Sequence, residues 1–104
     1  MPSSIEVVIS VTDDIVEVSL DPVVLAMSRG QEVCWRSYQG TARIVFDGDS
    51  PFEANLLIAP KGGGVASGVP RRDRVRKDAY RYKVEVMVRE RTVSSPEHEV
   101  FVDL

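Results

Sequence analysis

Five groups of residues in this 104-residue chain have types and spacings that could do chemistry. Cys34 is the sole thiol, set between Val33 and Trp35. A nucleophilic or redox cysteine needs a neighbouring His, Lys or helix N-terminus to hold the thiolate. These neighbours are apolar and the position reads as mid-strand, so Cys34 is expected to be a small buried or half-buried filler. His98, the only histidine, stands between Glu97 and Glu99, a triplet suggestive of a Zn or Ni site. In a strand, successive side chains point to opposite faces, so the three cannot converge on one ion. Ligands from a second chain would be needed, and His98 is expected to be a solvated residue at a loop edge.

Three further groups are loop-like. The stretch KGGGVASG at 61–68 has the glycine content of a phosphate cradle. A phosphate loop opens directly onto a helix, however, whereas Lys61 precedes these glycines and a strand follows, so a flexible surface loop is expected. Asp47, Asp49 and Glu53 could form a loose cation cluster. They lack the remaining oxygens of a calcium loop, and Gly48 with Ser50-Pro51 accounts for the segment as a turn. The sharpest feature is RRDRVRKD at 71–78, where Arg71, Arg72, Arg74, Arg76 and Lys77 surround Asp73. If the run is extended, Arg72, Arg74 and Arg76 share a face suited to a phosphate track or an acidic protein surface. It is the leading candidate for a polar contact surface. A solvated loop paired with the chain's own acidic strands is the plainer reading, an acidic partner protein the next, and nucleic acid the last.

The bulk composition narrows the classes. The length suits a single domain, residues 1–104, with one core. Apolar residues at 43% and charged residues at 28% are ordinary for a folded globule. A net charge of −3 and an absence of exposed stacking aromatics beside the arginines argue against a general nucleic-acid binder. No apolar run approaches the ~20 residues of a membrane helix. The opening MPSSIEVVISV lacks the features of a signal peptide. With its lone cysteine, the chain is expected in the cytoplasm, unless a leader has been removed.

Strand signals must position all of these groups. IEVVISV (5–11), IVEVSL (15–20), VVLAM (23–27), QEVCWRS (31–37) and ARIVFD (42–47) alternate and are separated by turn residues. Residues 52–77 are poorly periodic, with short strands expected near Asn55–Ile58 and Val65–Ser67. AYRYKVEVMVR (79–89) is the longest alternating run, with Tyr80, Tyr82, Val84, Val86 and Val88 on one face. RERTVSSPE (89–97) reads as a turn, and HEVFVDL (98–104) as the last strand. The expectation is an all-β, two-sheet Greek-key sandwich of about seven or eight strands. Trp35, Phe46, Tyr82, Val84 and Val86 should lie between the sheets.

Several of these pieces resemble the cupredoxin family. PVVLAMSRGQEVCWRS is similar to its pattern of a Pro-containing strand that turns at Gly into a V-x-W strand. ARIVFDGDSPF, SGV at 67–69, AYRYKVEV and HEVFVDL resemble its later strands and turns, so the likeness spans residues 14 to 104. An immunoglobulin-like sandwich is the competing topology. The family's blue-copper centre needs two imidazoles, a thiolate and a weak axial Met. By this resemblance the first His would fall near Thr41, Ala42 and Arg43, and the thiolate at Val84. The second His and the Met would fall in 89–97, which has neither. No cofactor is therefore expected, and copper electron transfer is rejected.

The reading that follows is a small, non-catalytic binding module without bound metal. Its expected partner is a protein, either another chain or a second copy joined through edge strands. Two alternatives stand: anion or nucleic-acid binding through 71–77, and a metal or redox site shared between chains near Cys34 or His98.

Overall fold

The computed structural model describes residues 4–75 and 79–103. Ten strands form among them: β1 (Ser4–Thr12), β2 (Ile15–Val18), β3 (Val23–Ala26), β4 (Glu32–Ser37), β5 (Thr41–Phe46), β6 (Leu56–Ala59), β7 (Gly63–Ala66), β8 (Ala79–Val88), β9 (Arg91–Ser94) and β10 (His98–Asp103). A single 3-10 turn, Met27–Arg29, is the only helical element of the described residues. The strands form two sheets, β2-β1-β4-β7 and β3-β10-β8-β5-β6, with β9 pairing beside β8 in the second. The chain is thus an all-β sandwich, with more strands than the seven or eight expected.

Local chemistry explains most of the turns. Thr12 faces Ile15 across a two-residue loop, with Asp13 and Asp14 at φ 51° and 62°. Positive φ at both central residues is the hairpin geometry that matches strand twist, and Asp tolerates it. The next apolar run is divided: β2 pairs with β1 in one sheet, and after Asp21-Pro22 the chain continues as β3 in the other. Ser19 secures this crossing. Its N–H donates to Val8 C=O at 2.9 Å, and its hydroxyl accepts the Val8 N–H at 2.8 Å. Gly40 lies so close to β8 that a Cβ there would sit 2.0 Å from the Met87 carbonyl oxygen.

Both sheets are mixed. β1 runs parallel to β4, and β10 runs parallel to β3, while the remaining pairs are antiparallel. Inward residues alternate as the sequence leads one to expect. Val33, Trp35 and Ser37 point in from β4; Ala42, Ile44 and Phe46 from β5; Tyr80, Tyr82, Val84 and Val86 from β8. All five residues assigned to the core are buried there. Trp35 packs edge-on against Tyr82, Phe46 and Phe52 at centroid distances of 5.5, 6.4 and 6.4 Å, one of the two geometries aromatic pairs prefer.

Three local expectations need correction. Residues 89–97 are more than a turn: Arg89, at φ 58°, and Glu90 link β8 to β9 as a tight hairpin. The glycine run is not a loose surface loop. Gly63 and Gly64 belong to β7, and a Cβ on Gly64 would lie 2.9 Å from the Trp35 carbonyl oxygen, so the position admits little more than a hydrogen. The basic segment is not extended either, because Arg74 and Val75 N–H both return to the Arg71 carbonyl at 3.0 Å.

Candidate functional site

Three places in the fold carry the side chains singled out above, and they differ in what they can do. The first is the inner end of β10. His98 is buried rather than solvated, at 8% exposure. Its Nδ1 lies 2.8 Å from Asp21 Oδ2, while Asp21 Oδ1 accepts the Glu99 N–H at 3.0 Å. The carboxylate thereby ties the β2–β3 crossing to β10. The other ring nitrogen, Nε2, is buried. His98 stands opposite Tyr82 in the β8–β10 pairing, ring centroids 5.6 Å apart.

His98 Nε2, Tyr82 Oη and Trp35 Nε1 are all buried and have no hydrogen-bond partner among the described residues. Burial pushes the Tyr82 phenol up to about 12. The Trp35 indole N–H lies near enough to pull it back slightly without alignment as a hydrogen bond, and the Asp21 charge adds a small push upward. This polar cluster sits inside the aromatic core, closed to a substrate. Its chemistry is structural: an Asp–His pair bracing a strand crossing.

The copper implied by the cupredoxin resemblance does not fit these residues. Val84, at the thiolate position, is fully buried among core side chains. Its N–H donates to Ser95 Oγ at 2.9 Å, and its C=O accepts the Ser95 N–H at 2.8 Å. The segment that would carry the second imidazole and the Met is instead strand β9 and its return to Ser95. Thr41, Ala42 and Arg43 supply no imidazole. Among the described residues no group of three His, Cys, Asp or Glu is arranged to hold a metal ion. Asp47, Asp49 and Glu53 are exposed. Cys34 is half-buried on the outer face of β4, opposite Ala66.

The second place is the basic segment. Arg71 pairs with Asp73, its Nε 3.2 Å from Oδ1. Arg74 reaches across to the approach of β6, where one guanidinium nitrogen donates to the Glu53 carbonyl and another to Asn55 Oδ1, both at 2.9 Å. Arg72 is exposed. Arg76 and Lys77 lie outside the described residues. Arg74 thus serves as a brace between this segment and the approach of β6.

The third place, which the sequence did not single out, is the outer edge of β6. It ends the second sheet, pairing with β5 on one side only. Leu56 and Ile58 are 41% and 52% exposed on the outer face, whereas Leu57 and Ala59 turn inward. The Phe46 N–H donates to the Asn55 carbonyl at 3.0 Å, which fixes the phase of the ladder. Antiparallel hydrogen-bonded pairs alternate with non-bonded ones, so Asn55, Leu57 and Ala59 direct their backbone groups to β5. Leu56 and Ile58 direct theirs to the open side. From Leu56 to Ala59 the edge carries no charge and no proline, while its four-residue length and Pro60 just after it limit how far another strand could pair. A run such as Leu-Leu-Ile-Ala signals a strand, but nothing local says that the strand will be last in its sheet. No protein family, curated protein or solved structure matches the chain.

Proposed function

We propose that the chain is a small, non-catalytic interaction module that binds protein by adding a strand to the open edge of β6. The observation that carries this reading is the edge itself. Leu56 and Ile58 present unpaired backbone groups and exposed apolar side chains together, the combination used in strand-addition recognition. Main-chain hydrogen bonds would supply affinity, and the Leu56 and Ile58 side chains selectivity.

The cupredoxin-like reading of the sandwich has its own support. Pro22 precedes β3, Gly30 takes φ 61°, and β4 then carries Val33 and Trp35 inward, as the resembling motif requires. The two parallel strand pairings favour it over an immunoglobulin-like sandwich, whose two sheets are antiparallel. In this reading the fold serves as a metal-free scaffold. No observation favours the basic segment as an anion site, since two of its described arginines are spent on Asp73, Glu53 and Asn55.

The test compares wild type with Ile58→Lys, a charge placed on the edge at an outward position. Self-association across concentration and affinity capture from the source cells are measured for both. Associations that are present in wild type and lost in Ile58→Lys are expected. Associations that persist unchanged in the variant, or none at all in either assay, would overturn the reading.

A further inference from the structure

Resting on the edge-binding reading above, we infer that Arg74 is the positioning residue of that site. Its guanidinium holds the chain at Glu53 and Asn55, so that β6 leaves the preceding bend already aligned, with Leu56 and Ile58 set toward the open side. The entry to β6 is fixed carbonyl by carbonyl. The Glu53 carbonyl accepts from Arg74 Nη1 at 2.9 Å, the Ala54 carbonyl from the buried Ser50 hydroxyl at 2.7 Å, and the Asn55 carbonyl from the Phe46 N–H at 3.0 Å. Arg74 Nη2 adds a bond to Asn55 Oδ1 at 2.9 Å, so one planar fork spans two positions of the segment. Ser50 and Phe46 belong to β5 and the connection that follows it. Arg74 reaches in from 19 and 21 residues further along the chain.

The arginine has a firm base from which to do this. The Arg71 N–H donates to the Pro51 carbonyl at 2.8 Å, and the Arg74 N–H returns to the Arg71 carbonyl at 3.0 Å. The Tyr80 hydroxyl, on a buried side chain of β8, donates to the Arg74 carbonyl at 3.4 Å. The strand it braces needs such support. β6 has four residues and pairs on one side only, and a strand with so few ladder bonds opens locally at small cost. A partner that adds a strand requires Leu56 and Ile58 in line, and its apparent affinity falls with the fraction of molecules that present them so. The bond from Phe46 to Asn55 is the first rung of the β5–β6 ladder, and Arg74 grips the residue that makes it. Without the guanidinium, β6 is released from its start.

Amide exchange in Arg74→Ala tests this, because adjacent residues of the chain report on opposite neighbours. The Phe46 N–H is bonded to Asn55 on the β6 side, and the Asp47 N–H to the Arg81 carbonyl of β8 at 2.9 Å. In Arg74→Ala the Phe46 amide should exchange roughly tenfold faster, with the Asp47 amide within about twofold of wild type. Asn55→Ala, at an exposed position, removes one arm of the fork and should act in the same direction by about threefold. Any association of wild type that Ile58→Lys abolishes should be weakened about threefold or more by Arg74→Ala. An unchanged Phe46 amide in both variants overturns the inference. So does equal acceleration of Phe46 and Asp47, which marks a general loosening of the sandwich. If Phe46 alone accelerates but the Ile58-dependent association keeps its strength, the positioning role falls and the strand-addition reading stands. If wild type has no Ile58-dependent association, both fall.

Discussion

Replacing Tyr82 by Phe should leave this protein as stable as before or more so, against the usual direction for a core substitution. The Tyr82 ring is fully buried, with Trp35, Phe46 and His98 at centroid distances of 5.5, 5.6 and 5.6 Å, and those contacts survive in Phe. What is removed is a hydroxyl with no hydrogen-bond partner, whose burial costs ~1–3 kcal/mol. A smaller part of that is recovered because the space left by the oxygen loses contacts, so a net gain of about 1 kcal/mol is expected. In urea, followed by the fluorescence of the single Trp35, this moves the unfolding midpoint up by roughly 0.5–1 M. The alkaline limb gives an independent check. The folded phenol ionises at about 12, above its ordinary value, so the unfolded chain releases this proton first. The stabilisation from the raised value is complete below pH 10 and is lost as pH rises through about 12. Over that window wild type should lose up to ~3 kcal/mol relative to Tyr82→Phe, the other tyrosines cancelling between the two. A loss of 1 kcal/mol or more in Tyr82→Phe at neutral pH, or no divergence of the two proteins between pH 10 and 12, would refute the reasoning. It would mean that the hydroxyl is satisfied.

Two other substitutions probe how the scaffold is held. Gly40→Ala places a Cβ 2.0 Å from the Met87 carbonyl oxygen, a clash with backbone rather than with a mobile side chain. The cost should exceed the ordinary overpacking range, at ~3 kcal/mol or more, and lower the melting temperature by roughly 12 °C or more. A shift of a few degrees would show that β5 and β8 can move apart there. Asp21→Ala removes the acceptor of both the His98 ring and the Glu99 N–H, and should cost ~2–3 kcal/mol in urea unfolding. Asp21→Asn, which keeps one acceptor oxygen, should cost clearly less; equal losses would locate the effect elsewhere.

The parts of the fold visible in the sequence are those where one strand's own alternation suffices. Tyr80 to Val86 face the core as their spacing says, and Asp13-Asp14 turns as two residues tolerant of positive φ should. What escaped depends on residues distant in the chain. β9 has a single apolar residue, Val93, and becomes a strand because β8 is long enough to pair with it. Gly63 and Gly64 carry no strand propensity, and the constraint on Gly64 comes from the Trp35 carbonyl. His98 was misjudged from its acidic neighbours, although it shares the parity of Val100 and Val102 and so falls on their inward face. Its partner Asp21 is 77 residues away, where no local pattern reveals it. The open edge of β6 was hidden for the same reason. Sheet order is a property of the whole chain, and a four-residue apolar strand reads alike at the centre or the rim.

The position of β10 has a consequence for how the molecule comes to exist. This strand, the last of the described chain, lies between β3 and β8 rather than at a margin. Until it is synthesised, β3 has no partner in its sheet, one side of β8 stands open, and Asp21 lacks the imidazole it braces. A growing chain can pair β1 with β2 and β4 early, but β3 and one side of β8 stay unpaired until β10 is made. Folding of this sandwich is therefore late and collective, with β10 acting as a bolt.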